Sequence, residues 1–350
     1  MRILGWFLIV LFILLISSSE AAWIHPKELF PDPTIARLHS GKTSLNQGEN
    51  EDLTRYGYTG LELMTYVQAN KYAWRACDHF IRIIHIGAHG MVHARMWLWK
   101  VKNYFADYRA YITHQGIKAG DVKSKFLVVY SDPPWMWGTG VLSYDYMTSK
   151  EFPKTADWWI YKPDLRKVRR LPVPNDRGDN FAGSELTMDD VMPWYEAWEE
   201  EHKIVGEDRI KDKECWVIES KNHNPYYYLS KRLTWIEKEN FLDLHEEQFN
   251  RKGEPWKVID KTWRQIKPLN YWVQEEYNCK NVLTQTRTIL QRLDWGFDQG
   301  FKDGEFLPQE MIKQYQWKYP KNIPAIKNTG DVSPPPEPRE KVWAQRPSDN

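Results

Sequence analysis

The sequence has almost no charge excess: 48 basic residues stand against 47 acidic ones, for a formal net charge of +1. Nucleic-acid proteins carry a basic excess on one face, so no nucleic-acid partner is expected. Cysteine is scarce, with only Cys77, Cys215 and Cys279 in 350 residues. None has metal-ligand spacing. An oxidising compartment permits one bridge with one thiol left over, and three unpaired buried thiols fit equally well. Catalytic signatures are missing too: there is no GxSxG elbow, no HExxH, no P-loop and no GxGxxG fingerprint.

Aromatic side chains, by contrast, are abundant, with 19 Trp, 19 Tyr and 13 Phe. Such rings suit pleated, half-buried surfaces, and they suit a cavity for an apolar or sugar-like ligand. Residues 1–21 read as a signal peptide: Arg2, the apolar run "ILGWFLIVLFILLI" (3–16), then "SSSEAA" with Ser19 and Ala21 in the small-residue positions. A spanning helix needs ~20 apolar residues, so this segment is short for an anchor. The mature chain is expected to start near Ala22 and to be exported.

Residues 22–58 are polar and read as an arm. "TGLELMTYVQANKYAWRACD" (59–78) has helical apolar spacing with Thr59 as N-cap. From about 79 to 307 the pattern is one of short strands and turns. In "ARMWLWKVKNYF", for example, Met96 and Leu98 alternate with Trp97, Trp99 and Val101. Strands at roughly ten-residue intervals with turn signals between them predict an antiparallel sandwich or barrel. A second helix is expected within 188–205, and residues 316–350 read as a Pro-rich flexible tail.

Two constellations invite chemistry. His79, His85, His89 and His93 fall close together, and the last three have helical metal-ligand spacing, but Gly87 and Gly90 argue against that helix. No metal is expected. The carboxylates Asp189, Asp190, Glu196, Glu199, Glu200, Glu246, Glu247, Glu275 and Glu276 read as solvated faces rather than a glycosidase pair. "DWWIYKPDLRKVRRLP" (157–172) reads as a hairpin: strand alternation on both sides of a Pro-Asp turn. Trp159 and Tyr161 share one face, and Val168 and Arg170 share a face on the return strand.

In this order the residues resemble the LolA-like outer-membrane lipoprotein-sorting proteins. "TGLELMTYV" is similar to that family's leading helix. "KFLVVYSDPPWMWGTGVLSYDY", "DWWIYKPDLRKVRRL", "FAGSELTMDDV", "KIVGEDRIKDKECWVIESK", "YYLSKRLTWIEKENFL" and "YNCKNVLTQTRTILQRLDWGFDQGFKDGEFLPQEMIK" resemble its later segments in register. "KDKEC" stands where the family has a turn Gly, and Leu307 stands where it has Thr.

The resemblance implies a mainly β fold over residues 59–315, an incomplete antiparallel barrel with a helical lid around an apolar cavity. It implies a periplasmic carrier or chaperone without enzyme activity or cofactor. Its cargo would be lipoprotein acyl chains or another lipid-like hydrophobe, with an inner-membrane exporter of the RND type as a further partner. Each buried methylene contributes ~0.8 kcal/mol, enough to hold a chain and still release it. By alternation, Trp97, Trp99, Phe126, Val128, Leu142, Tyr144, Trp159, Tyr161 and Trp235 are the candidate cavity lining. Arg169 and Arg170 are candidates for headgroups at the rim. The alternatives are a secreted carbohydrate-binding or hydrolytic β-protein and a scaffold docking an exporter.

Overall fold

In the computed structural model the described residues are 46–70, 76–104, 118–149, 152–172, 177–192, 196–267, 271–297, 299–316, 326 and 328–339. The expected signal peptide, 1–21, lies outside them.

Among the described residues, thirteen antiparallel strands form one open sheet. They are β1 (Ala76–Ile86), β2 (Val92–Asn103), β3 (Val122–Asp132), β4 (Gly140–Tyr146), β5 (Ala156–Lys162), β6 (Lys167–Leu171), β7 (Glu200–Ile210), β8 (Lys213–Asn222), β9 (Leu229–Glu237), β10 (Asp243–Asn250), β11 (Pro255–Ile266), β12 (Tyr271–Asn281) and β13 (Arg287–Phe297). The spatial order is β6-β5-β4-β3-β2-β1-β13-β12-β11-β10-β9-β8-β7. Every neighbour is a chain neighbour except the β1–β13 pair, where Ile83 faces Leu290 and Ile84 faces Ile289. Two meanders are therefore joined side by side, and the mainly β, incomplete-barrel architecture is present.

The sheet has two edges, and each is protected. Edge strand β6 is five residues long and carries Lys167, Arg169 and Arg170, a short basic edge that discourages pairing. At the other edge, helix α1 (Gln47–Tyr56) places Asp52 Oδ2 2.9 Å from the β7 backbone N–H of Ile204, which donates to it.

Helix α2 (Gly60–Ala69) begins as its sequence dictates. The Thr59 hydroxyl accepts from the Glu62 N–H at 3.2 Å, and the Glu62 carboxylate accepts from the Thr59 N–H at 2.7 Å. All ten helical residues are buried. Leu61, Leu63, Met64, Tyr66 and Val67 pack on Ile204, Trp216, Ile218, Ile236 and Phe241 of the sheet and its β9–β10 turn. Each such aliphatic side chain contributes about 1.5–3 kcal/mol as an upper estimate. The helix ends at Ala69, well before 78, because the segment from 76 onward, with Ile81, Ile83, Ile84 and Ile86, is strand β1. At its start the backbone approaches β7 so closely that a Cβ on Gly60 would meet the His202 carbonyl carbon at 2.8 Å. Gly60→Ala is expected to lower stability by about 1–3 kcal/mol through overpacking, read as a lower urea midpoint with unchanged slope.

The helix expected within 188–205 is a single turn, α3 (Met188–Val191), capped by Thr187. Glu200 onward is β7, whose alternating burial buries His202 and Ile204 and exposes Glu201 and Lys203. The hairpin of 157–172 is β5, a one-turn 3-10 connection Pro163–Leu165, and β6, with Trp159 opposite Arg170 and Tyr161 opposite Val168. Within the Pro-rich tail, residues 328–339 are held against the outer face. Ser333 Oγ donates to Glu276 at 2.6 Å, Asn278 Nδ2 donates to the Pro334 carbonyl at 2.7 Å, and Arg339 Nη2 pairs with Asp208 at 3.0 Å.

Candidate functional site: the concave face of the sheet

Cross-strand partners share a face, so the pairing registers assign every inward side chain. The concave face has three zones. Helix α2 covers β7 to β9. A charged band crosses β9 to β11. The third zone, on β1 to β3 and β11 to β13, is apolar: Ile81, Ile83, Trp97, Trp99, Phe126, Val128, Ile259, Tyr277 and Leu290.

A cap formed by residues 181–192 lies on the apolar zone through Phe181, Leu186, Met188, Val191 and Met192. Phe181 meets Trp97 edge-on with ring centroids 5.3 Å apart. Polar ties fasten the cap. Arg95 Nη1 donates to the Ala182 carbonyl at 2.6 Å, Thr288 Oγ1 accepts from the Glu185 N–H at 2.8 Å, and Gln248 Nε2 donates to Asp190 at 2.8 Å. Just before the cap, Arg177 pairs with Asp189 and Glu199, both at 2.6 Å.

Carboxylates expected on solvated faces are in part buried: Asp189, Glu196, Glu200, Glu246 and Glu247 are all buried. Each is tolerated because donors surround it. Lys261 Nζ lies 2.5 Å from Asp243 and 2.9 Å from Glu246, Arg232 lies 2.7 Å from Glu200, and Lys123 lies 2.5 Å from Glu196. Burial raises the Glu246 carboxyl, but Lys261 and Arg232 outweigh it and hold the group at about 2. Glu199 goes the other way: burial dominates, Arg177 offsets it only in part, and its pKa rises from 4.5 to about 7. A raised carboxyl binds its proton in the folded state first, so its contribution is present below pH 4.5 and declines as pH climbs through about 7. Glu199→Gln should remove that decline, which unfolding free energies of both proteins between pH 4.5 and 8 would show as a difference curve.

Between the cap and the strand ends lies a cavity of about 100 Å³. It sits where β1 begins and β2 ends. Trp99 and Phe126 form part of its wall, with Val191 and Met192 of the cap opposite and Trp272, Gln274, Arg292 and Trp295 from β12 and β13 beside them. His79 stacks between Trp99 and Trp295, with centroids 6.1 and 4.3 Å away.

The sequence candidates divide. Trp97, Trp99, Phe126 and Val128 stand on the concave apolar zone. Leu142, Tyr144, Trp159 and Tyr161 stand on the outer face, under Phe306 and Met311. Trp235 is also outward, packed with Val217 and Phe249, its indole N–H donating to Asp208 at 2.9 Å. Arg169 and Arg170 are exposed on β6; Arg170 pairs with Asp157 and lies over the Trp159 ring. His85 faces His93 across the β1–β2 pair, with His89 in the turn between them. All three cysteines are buried, and among the described residues none forms a disulfide. The cavity residues of β12 and β13 were legible only as strand alternation; nothing local marks them as lining.

A family described as "uncharacterized protein" matches residues 122–313. No curated protein matches. Among solved structures, a domain described as an outer membrane lipoprotein-sorting protein from Vibrio parahaemolyticus is similar at 20% identity and TM-score 0.59, covering 72% of this chain and 98% of that one. A DUF1329 family protein from Desulfovibrio piger is similar at 18% identity and TM-score 0.57, covering 70% of this chain and 95% of that one.

Proposed function

This chain belongs to the uncharacterized-protein family matched over residues 122–313, and from that premise and its LolA-like fold we propose that it is a periplasmic carrier or chaperone for a hydrophobe. The cargo would be the acyl chains of a lipidated protein or a comparable lipid. The observation that carries this is the capped concave face: an aromatic floor of Trp97, Trp99 and Phe126 lies beneath the short 181–192 segment rather than beneath another layer of sheet. The likeness to a lipoprotein-sorting domain supports it.

Size imposes a condition on the mechanism. The cavity of about 100 Å³ is smaller than the ~150 Å³ apolar cavity that accepts one benzene. An acyl chain therefore needs the cap, 181–192, to withdraw and leave its apolar contacts to the cargo. Binding free energy equals the chain's burial minus the cost of opening the cap. The chain is read as a carrier, with no bond-breaking step assigned to it. Arg169 and Arg170, on the edge strand, are proposed to meet headgroups or a partner at the rim.

Native mass spectrometry and organic extraction of the purified protein test the carrier function. A co-purifying or added lipid-like molecule, bound in a one-to-one complex, is expected. If neither extraction nor titration with long-chain amphiphiles yields a complex, the carrier function is lost.

A further inference from the structure

The cavity beside the cap is not a plain hydrocarbon slot. Among the described residues, five buried nitrogens of the lining residues have no hydrogen-bond partner: His79 Nε2, Trp99 Nε1, Trp272 Nε1, Gln274 Nε2 and Trp295 Nε1. Four of the five belong to groups that can only donate, three indoles and an amide NH2. The residues that carry them come from β1, β2, β12 and β13 and line one small space. A buried donor left unmatched is costly, so a methylene chain alone is a poor occupant of this space.

The sixth group is Arg292, also in the lining. Its Nη1 donates to the Gln274 carbonyl at 3.0 Å and to Gln274 Oε1 at 3.4 Å, and its guanidinium lies 5.2 Å from the Tyr277 ring centre. Among the described residues it has no carboxylate partner. Among the described lining residues the one carboxylate is Asp190, which accepts from the Thr187 N–H at 2.7 Å and from Gln248 Nε2 at 2.8 Å. His79 brings no competing charge, since burial and the neighbouring Arg292 hold its pKa well below the ordinary value. An ammonium or a donor-rich head would meet the Arg292 cation and a set of N–H donors, a mismatch of both charge and hydrogen-bond polarity. A compact, planar, acceptor-only anion would find a guanidinium and several N–H groups.

We propose that this cavity seats the carboxylate head of a fatty-acid-like amphiphile, with Arg292 and the Trp272, Trp295 and Gln274 N–H groups as donors. The volume suits a head and its first carbons. The remainder of the chain runs past Trp99 and Phe126 onto the floor that the cap now covers. This rests on the carrier function and assigns it a cargo class: a free acid is selected over an ester-linked acyl chain.

The test uses calorimetric titration of the full chain with four ligands of one chain length, below their micelle concentrations: dodecanoate, methyl dodecanoate, dodecanol and dodecylamine. Dodecanoate is expected to bind at least about tenfold tighter than the other three, a difference of about 1.4 kcal/mol. In Arg292→Gln the preference falls to about one while the alcohol still binds. Trp295→Phe, which keeps the ring and removes only the N–H, narrows it about two- to threefold and covers the case in which the arginine variant does not fold. Equal affinity for the acid and its methyl ester overturns the carboxylate assignment, and so does a preference for the amine; in either case the carrier function stands. Failure of all four to bind overturns both.

Discussion

Lys261→Met is expected to cost about 3–5 kcal/mol of folding stability. Lys261 is buried on the concave face of β11, with its ammonium between Asp243 at 2.5 Å and Glu246 at 2.9 Å. Its own burial disfavours the charge, yet the two carboxylates hold its pKa far above the ordinary lysine value. Removing the cation leaves two carboxylates facing each other, with Arg232, 3.8 Å from Glu246, as the remaining cation among the described residues and Gln248 Nε2 donating to Glu246 at 2.8 Å. The penalty comes from the stranded charges more than from the lost pair. A triple variant, Lys261→Met with Asp243→Asn and Glu246→Gln, is therefore expected to recover most of the loss. Urea unfolding of the three proteins decides it. A single-variant loss under about 1 kcal/mol would show that water reaches the site and that the band is not a sealed network.

Phe181→Ala should produce opposite changes in stability and binding. Phe181 packs its ring against Trp97 and Trp99, with centroids 5.3 and 6.5 Å away. Truncating it is expected to lower stability by about 3–5 kcal/mol. The closed cap loses the same contacts, so a larger fraction of the protein is open to cargo. Hydrophobe affinity should rise, by about tenfold if 1.4 kcal/mol of the loss falls on the closed state alone. Urea denaturation gives the first quantity and calorimetry with a long-chain amphiphile the second. An affinity that drops with stability would make residue 181 part of the cargo wall, and the cap would then be a fixed element of the site.

The strands were legible because their signal is local. In β7 the alternation of His202 and Ile204 with Glu201 and Lys203 needs only neighbouring residues. The same is true of the Pro163–Leu165 turn and of the Thr59–Glu62 cap, which link residues three apart or fewer. Helix extents were less legible. The residues of 188–205 have helix-compatible apolar spacing, but Glu200 onward gains more by completing a sheet edge that α1 then covers.

Which face of a strand points inward was not legible around β3 to β5. There both faces are apolar: Phe126 and Val128 face the cap, while Leu127, Leu142 and Tyr161 face Phe306 and Met311. A period of two separates the faces without naming them, and a one-residue shift exchanges them. The burial of Glu246 and Glu200 was hidden for a related reason. Their partners, Lys261 and Arg232, lie on other strands, and a carboxylate's own sequence neighbours do not announce a distant cation.

By itself, then, the sequence determined a long antiparallel meander, its turns and the start of α2, because alternation and capping act over a few residues. Only the tertiary structure decided that β1 pairs with β13, that 181–192 caps the concave face, and that 328–339 straps the outer one. It alone brought His79 and Trp99 into one space with Trp272, Gln274, Arg292 and Trp295. The physical reason is range: these contacts join residues far apart in the chain, and their energies exist only once the two meanders have closed on each other.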